Sequence, residues 1–200
     1  MRADALRHRQ ALIEAAAKVF GEQGYDVPLA TILREARLGR GTLYRHFATR
    51  EDLIIAAISH DIEVLRRKVE QCEDRPDLFL ALIEDQSRSV AAHLRVLSTF
   101  QDERLQDFAI RVVPTYDGVL ETVLNSAKRH GLVRETFEVE DLVLLITMLS
   151  TIRSRDTLRS SEAIARSKGD HEADEDGTRR YERALAILRD GFAPRRDNRT

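Results

Sequence analysis

The sequence predicts an all-α fold, an N-terminal three-helix helix-turn-helix domain joined to a C-terminal helical domain. Three observations lead there. Apolar residues recur at three- and four-residue spacing along most of the 200-residue chain, and no stretch shows the alternation of a half-buried strand. A third of the residues are charged while aromatics make up 6% with no Trp, the profile of helices with long solvated faces. Residues 28 to 53, PLATILREARLGRGTLYRHFATREDL, read as two short helices joined by a tight turn, the arrangement by which helix-turn-helix proteins enter the major groove.

The first helix is expected from Leu6 to Glu22, with Leu12, Ile13, Ala16, Val19 and Phe20 on one face and Gly24 as its stop. Its basic start reads as a solvated terminus or as a phosphate clamp, and with the motif that follows, Arg7 and Arg9 are taken as clamp candidates. The second helix begins with Pro28 at its first position and buries Leu29, Ile32, Leu33 and Ala36. Thr31 lies on its exposed side and is a further DNA-contact candidate. Arg37, Leu38 and Gly39 make the turn. A side chain at Arg37 costs about 1 kcal/mol if the backbone turns left-handed there, unless Gly39 takes the bend. The third helix directs Leu43 and Phe47 inward and offers Arg40, Thr42, Tyr44, Arg45 and His46 outward. Arg40 is able to grip guanine or phosphate, Thr42 suits a phosphate or a thymine edge, and Gly41 lets the backbone lie close to DNA. Thr49 to Asp52 reads as a capping box, so a fourth helix starts at once and runs from Arg50 to about Cys72 as a connector.

Beyond the break at Glu73 to Pro76, helices are expected over Asp77 to about Leu97, Gln101 to Val112, and Pro114 to Arg129. The next, Val139 to Ile152, is apolar almost all round and needs cover on two sides. Leu142, Leu145, Ile146, Leu149 and Ile152 are assigned to a partner subunit, and Val143, Leu144, Thr147 and Met148 to the subunit interior. A last helix, Thr178 to Gly191, adds Tyr181, Leu185 and Leu188, so that two helices per chain build a four-helix homodimer interface. Arg153 to Gly177 holds few large apolar groups, with a short helix through Leu158 and Ile164 and a mobile acidic loop after it. The domain boundaries expected are 1–50 for the reader, 50–72 for the connector, 73–193 for the second domain, and 194–200 for a basic, disordered tail.

The net charge of −2 averages two unlike parts of the chain's 32 basic and 34 acidic residues. Residues 1 to 50 hold nine Lys or Arg against five acids, and the remainder holds 23 against 29. The positive excess sits on the reader, where phosphates must be neutralised. The single cysteine, Cys72, excludes an intramolecular disulfide framework and reads as inert. His171 in its acidic loop reads as part of a solvated charge run rather than a metal site. No glycine loop for phosphate, metal-ligand cluster or nucleophile motif points to catalysis, so neither an enzyme nor a cofactor is expected. With no signal peptide and no apolar run of about 20 residues, a cytoplasmic protein without membrane contact is expected.

Gly41-Thr42-Leu43-Tyr44-Arg45-His46-Phe47, followed by Thr49-Arg50-Glu51 and Leu53, resembles the DNA-binding domain of the TetR family of bacterial transcriptional regulators. The resemblance is close over the first quarter of the chain and extends over the rest only as helical layout. It implies that Tyr44 and His46 meet phosphates, that Arg45 meets a base or phosphate, and that Arg50, where the family commonly has Lys, stands beside the DNA backbone. It also implies a C-terminal domain that binds a small-molecule effector and dimerises. Gln86 and His93, set among apolar neighbours on one helix face, are pocket candidates with Phe100, Phe108, Tyr116 and Met148. The function expected is a ligand-relieved repressor that binds a palindromic double-stranded operator as a homodimer. The alternatives are an activator, or a protein-interaction module of the same fold, without small-molecule control.

Overall fold

The computed structural model describes residues 2–71, 75, 77–164, 179, 182–187 and 191. Among them run seven helices: α1 (Arg2–Gln23), α2 (Leu29–Ala36), α3 (Arg40–His46), α4 (Arg50–Gln71), α5 (Asp77–Leu97), α6 (Asp102–Arg129) and α7 (Val139–Ile164). Residues 182–187 are also helical. None of the helices of the described residues is long and apolar enough to cross a membrane. Cys72, His171, Tyr181, Leu188 and the 194–200 tail lie outside the described residues, as does the side chain of Ile152.

The chain divides into two compact units, residues 1–71 with 95–116 and residues 72–94 with 117–200. In the first unit, Leu12, Ala16 and Val19 of α1 meet Ile32 of α2, Leu43 of α3 and Leu53, Ala57 and Ile58 of α4 in one buried cluster. Each of these residues is at most 2% exposed, so the short α2 and α3, which could not persist alone, are held by packing. Leu97 and Phe100 belong to the same cluster, and Val96 and Phe108 pack against it. These contacts tie residues 95–116 to the first unit.

In the second unit, Phe79, Leu82 and Ile83 of α5 are buried, as are Val119, Leu120, Val123 and Leu124 of α6. At the end of α6, Gly131 (φ +65°) lets the chain turn left-handed, and the Gly131 and Leu132 amides donate to Lys128 O and Ala127 O.

Three expectations are corrected. Pro28 caps α2 from outside, with extended backbone (φ −61°, ψ 139°) and its carbonyl accepting the Thr31 amide at 2.9 Å. The two helices expected on either side of Val113 are one, α6, with Pro114 inside it. A proline there removes one ladder bond and costs about 3 kcal/mol. The burial of Val112 before it and Val119, Leu120, Val123 and Leu124 after it offsets that loss, at roughly 1.5–3 kcal/mol for each fully buried side chain. The third correction reverses the faces of α7. Leu142, Leu145, Ile146 and Leu149 are buried within the chain at 5% exposure or less, whereas Leu144 and Met148 are 61% and 57% exposed and Val143 is at 36%. The stripe assigned to a partner is the subunit's own core. The four larger aliphatic side chains form the face that recovers most from burial, and the opposite face carries Thr147 and Thr151, whose hydroxyls donate to Val143 O and Thr147 O.

Candidate nucleic-acid interface

α2 ends in a left-handed residue that is not glycine. Arg37 has φ 55° and ψ 38°, the only positive φ outside glycine among the described residues, while Gly39 is extended at φ −88°. The turn therefore falls on Arg37 and is not relocated to Gly39. The Leu38 amide donates to Leu33 O at 3.1 Å and the Arg37 amide to Arg34 O at 3.3 Å, a Schellman closure, with Leu38 and Leu33 packed in the same core. Those bonds and that contact hold Arg37 in a conformation that costs an L-residue about 1–2 kcal/mol. Gly39 then caps α3, accepting the Thr42 and Leu43 amides at 3.0 and 3.3 Å.

Leu43 at 2% and Phe47 at 4% exposure fix the inner side of α3. Its outer side consequently consists of Arg40, Gly41, Tyr44 and Arg45, all exposed, with Thr42 and His46 half-buried on the flanks. Tyr44 is 59% exposed, an aromatic ring left in water on a helix whose other large apolar side chain is buried. Gly41 lies inside the helix, and a Cβ built on it would meet nothing within 4 Å. Its φ is not positive. The fold therefore gives no reason for a residue that weakens a helix by about 0.5–1 kcal/mol. Thr31 of α2 is half-buried.

The capping box forms as the sequence predicts. The Thr49 amide donates to Asp52 Oδ2 at 3.0 Å, and the Asp52 amide donates to Thr49 Oγ1 at 3.2 Å. Arg104 of α6 adds to it, donating to Asp52 Oδ1 at 2.5 Å and Thr49 Oγ1 at 3.2 Å. Burial opposes the Asp52 charge, but the bonds from Arg104 and Thr49 outweigh it and hold the carboxyl below its ordinary range. The start of α4 is thereby pinned where α3 ends.

The basic candidates divide. Arg40 and Arg45 are exposed. Arg7 pairs with Asp4 within α1. The Arg9 guanidinium lies over the Phe47 ring, 5.2 Å from its centroid. Arg50 is engaged within the chain: its Nη2 donates to Tyr25 O and Val27 O at 2.5 Å each, and the guanidinium sits over the Phe20 ring at 5.8 Å. It staples the α1–α2 loop to α4. Sequence spacing gave no sign of that role, because the acceptors are backbone carbonyls 23 and 25 residues earlier.

The expected pocket residues are divided between the two units. Phe100 is in, and Phe108 against, the first unit's core, Tyr116 falls within the first unit, and Met148 is exposed. Gln86 is buried and His93 half-buried in the second unit, where burial pushes the imidazole down to about 4. Among the described residues, no group of three or more His, Cys, Asp or Glu side chains is placed to hold a metal ion.

Residues 12–57 match the family model of bacterial regulatory proteins, tetR family. HTH-type transcriptional regulators of Staphylococcus aureus are 37% identical over 75 residues, a segment that is 37% of this chain and 40% of each relative. The match to these curated relatives thus spans less than half of their length. A TetR transcriptional regulator from Streptomyces coelicolor has TM-score 0.62 at 24% identity, covering 94% of this chain and 99% of that one. A TetR regulator from Mycobacterium vanbaalenii has TM-score 0.63 at 24% identity, covering 96% and 99%. At that identity the likeness is one of fold, an N-terminal helix-turn-helix domain with a helical C-terminal domain.

Proposed function

We propose that this chain, whose residues 12–57 match the tetR-family model, is a TetR-family, sequence-specific DNA-binding transcriptional regulator that reads its operator with α3. The observation that carries the proposal is the outer face of α3, where two free-standing arginines and a solvent-exposed tyrosine surround a glycine the fold does not need. Arg40 and Arg45 contact base edges or phosphates, Tyr44 and His46 phosphates, and Gly41 admits the helix to the groove. The reading assigns no catalytic step to the chain.

The operator is palindromic and the protein a homodimer, because a two-fold pair of readers matches two half-sites. The exposed stripe of α7, Val143, Leu144 and Met148, supports the dimer: three large apolar side chains on one helix face call for a partner surface. Repression relieved by a small molecule bound in the second unit completes the proposal, with Gln86 and His93 as the polar groups set in its apolar interior.

Gel shift with the DNA flanking the chain's own coding region tests this reading. A specific, salt-sensitive complex of dimer stoichiometry is expected. Binding to none of that DNA, together with retention of a partner protein, would favour the interaction module instead.

A further inference from the structure

We propose that a groove on the first unit, formed by α1, the end of α3 and α4, binds a small anionic amphiphile: a carboxylate- or phosphate-headed molecule with an apolar body. The groove encloses about 640 Å³, within the roughly 300–1,000 Å³ of small-molecule sites. Its floor is apolar, built from Ile13 and Phe47, which are almost fully buried, with Ile55 and Ala56 beside them.

The charge around that floor selects the ligand's sign. Arg9, His46 and His60 line the groove. Among the described residues, Arg9 is engaged by the Phe47 ring and by no carboxylate, and no hydrogen bond or ion pair holds His46 or His60. Asp61, the residue after His60, is the carboxylate that bears on that imidazole, and it is not part of the lining. The groove's own carboxylates are already matched. Asp52 is taken by Thr49 and by Arg104, which is not in the lining. Glu63 is paired with Arg66 at 2.7 Å and Arg67 at 3.1 Å, and Arg66 chiefly holds its carboxyl down at about 2. With both carboxylates matched, Arg9 is left as a cation with no carboxylate to receive it and the two imidazoles add N–H donors, which disfavours an amine or a metal cation and favours an anion. A bare inorganic ion would leave Val64, 47% exposed, and the half-buried Ile55 uncovered, so the head group needs an apolar body behind it.

An occupant would touch His46 and Phe47, the last residue and the C-cap of α3, together with α1 and α4. Binding would then alter how firmly α3 is held. That consequence for DNA affinity rests on the function proposed above; the binding itself does not.

The chain contains no Trp, and Val64, 47% exposed, stands in the groove lining, so a Val64→Trp protein carries one indole that reports on the groove. It is titrated without DNA, using decanoate, decyl phosphate and decan-1-ol below their aggregation concentrations. A saturable emission change is expected with at least one anion, at an affinity ten-fold or more above that of the alcohol. The anion that binds tighter identifies the head group. His60→Glu in the same background is expected to weaken it at least ten-fold, and Arg67→Ala, at a side chain already 64% exposed, by several-fold. The two variants are checked by circular dichroism, and Arg67→Ala carries the comparison if His60→Glu does not fold. No saturable change with either anion, equal affinity for the alcohol, or indifference to the folded variants would overturn the proposal.

Discussion

Gly41→Ala separates what the fold wants from what the proposed interface wants. Within a helix, glycine is less favourable than alanine by about 0.8–1.0 kcal/mol. Gly41 is the second residue of a seven-residue helix, where part of that difference applies, so a gain of about 0.5 kcal/mol is expected. Nothing stands within 4 Å of the new Cβ, so no clash subtracts from it. For a chain of this size the gain corresponds to a rise in Tm of about 1–2 °C. On DNA the sign reverses, because a methyl between Arg40 and Tyr44 holds the backbone off the groove and stretches the contacts on either side. Loss of one good base contact, about 1–3 kcal/mol, weakens operator binding roughly ten-fold. Urea midpoints and fluorescence anisotropy with labelled operator read the two effects on the same preparation. A variant that is more stable and binds the operator as tightly as the parent would refute a close approach at Gly41; a less stable variant would refute the absence of a structural need for glycine.

Other substitutions bear on separate parts of the account. Arg37→Gly, which relieves the left-handed backbone at φ 55°, should stabilise the protein by about 1 kcal/mol and raise Tm by about 2–4 °C, while Arg37→Ala leaves it nearly unchanged in thermal melts. Leu144→Arg, on the exposed stripe of α7, should shift the protein from dimer to monomer in light scattering, with the fold intact by circular dichroism. Leu142→Ala, at a side chain with no exposure, should instead cost about 2–5 kcal/mol in the urea midpoint. Burial holds the His93 imidazole at about 4, whereas an unfolded histidine titrates near 6.5, so the unfolded chain takes up the proton first as pH falls. The associated stability is full above about pH 6.5 and is lost as pH falls toward 4, about 2 kcal/mol of it by pH 5. His93→Gln should flatten that acid-side slope in urea midpoints measured from pH 7.5 to 5.

The reader was legible because its determinants are local. Helix spacing, the Thr49–Asp52 box and the inward pair Leu43 and Phe47 all lie within a few residues of the structure they specify, whereas the sequence left the bend open between Arg37 and Gly39 and the structure places it on Arg37. What escaped depends on the rest of the chain. Both faces of α7 are apolar, so periodicity shows that the helix needs cover on two sides but not which side the subunit's own core provides. Pro114 marks a break by local rules, and the buried residues on either side of it carry the helix through. Arg50 had the charge of a phosphate contact, but carbonyls at Tyr25 and Val27 claim it, and only folding brings them together. Phe100 and Phe108 looked like pocket aromatics because their partners in the reader's core lie in earlier helices.

The central claim is that α3 reads DNA, and its most direct measurement is the affinity of the parent and of Arg40→Ala for the flanking operator and for random duplex, each across 50 to 200 mM salt. The account predicts that the parent prefers the operator, that its affinity falls steeply with salt, and that Arg40→Ala loses about ten-fold on the operator or shows a salt slope shallower by about one. An Arg40→Ala protein that keeps the parent's affinity and salt slope on both DNAs would contradict it.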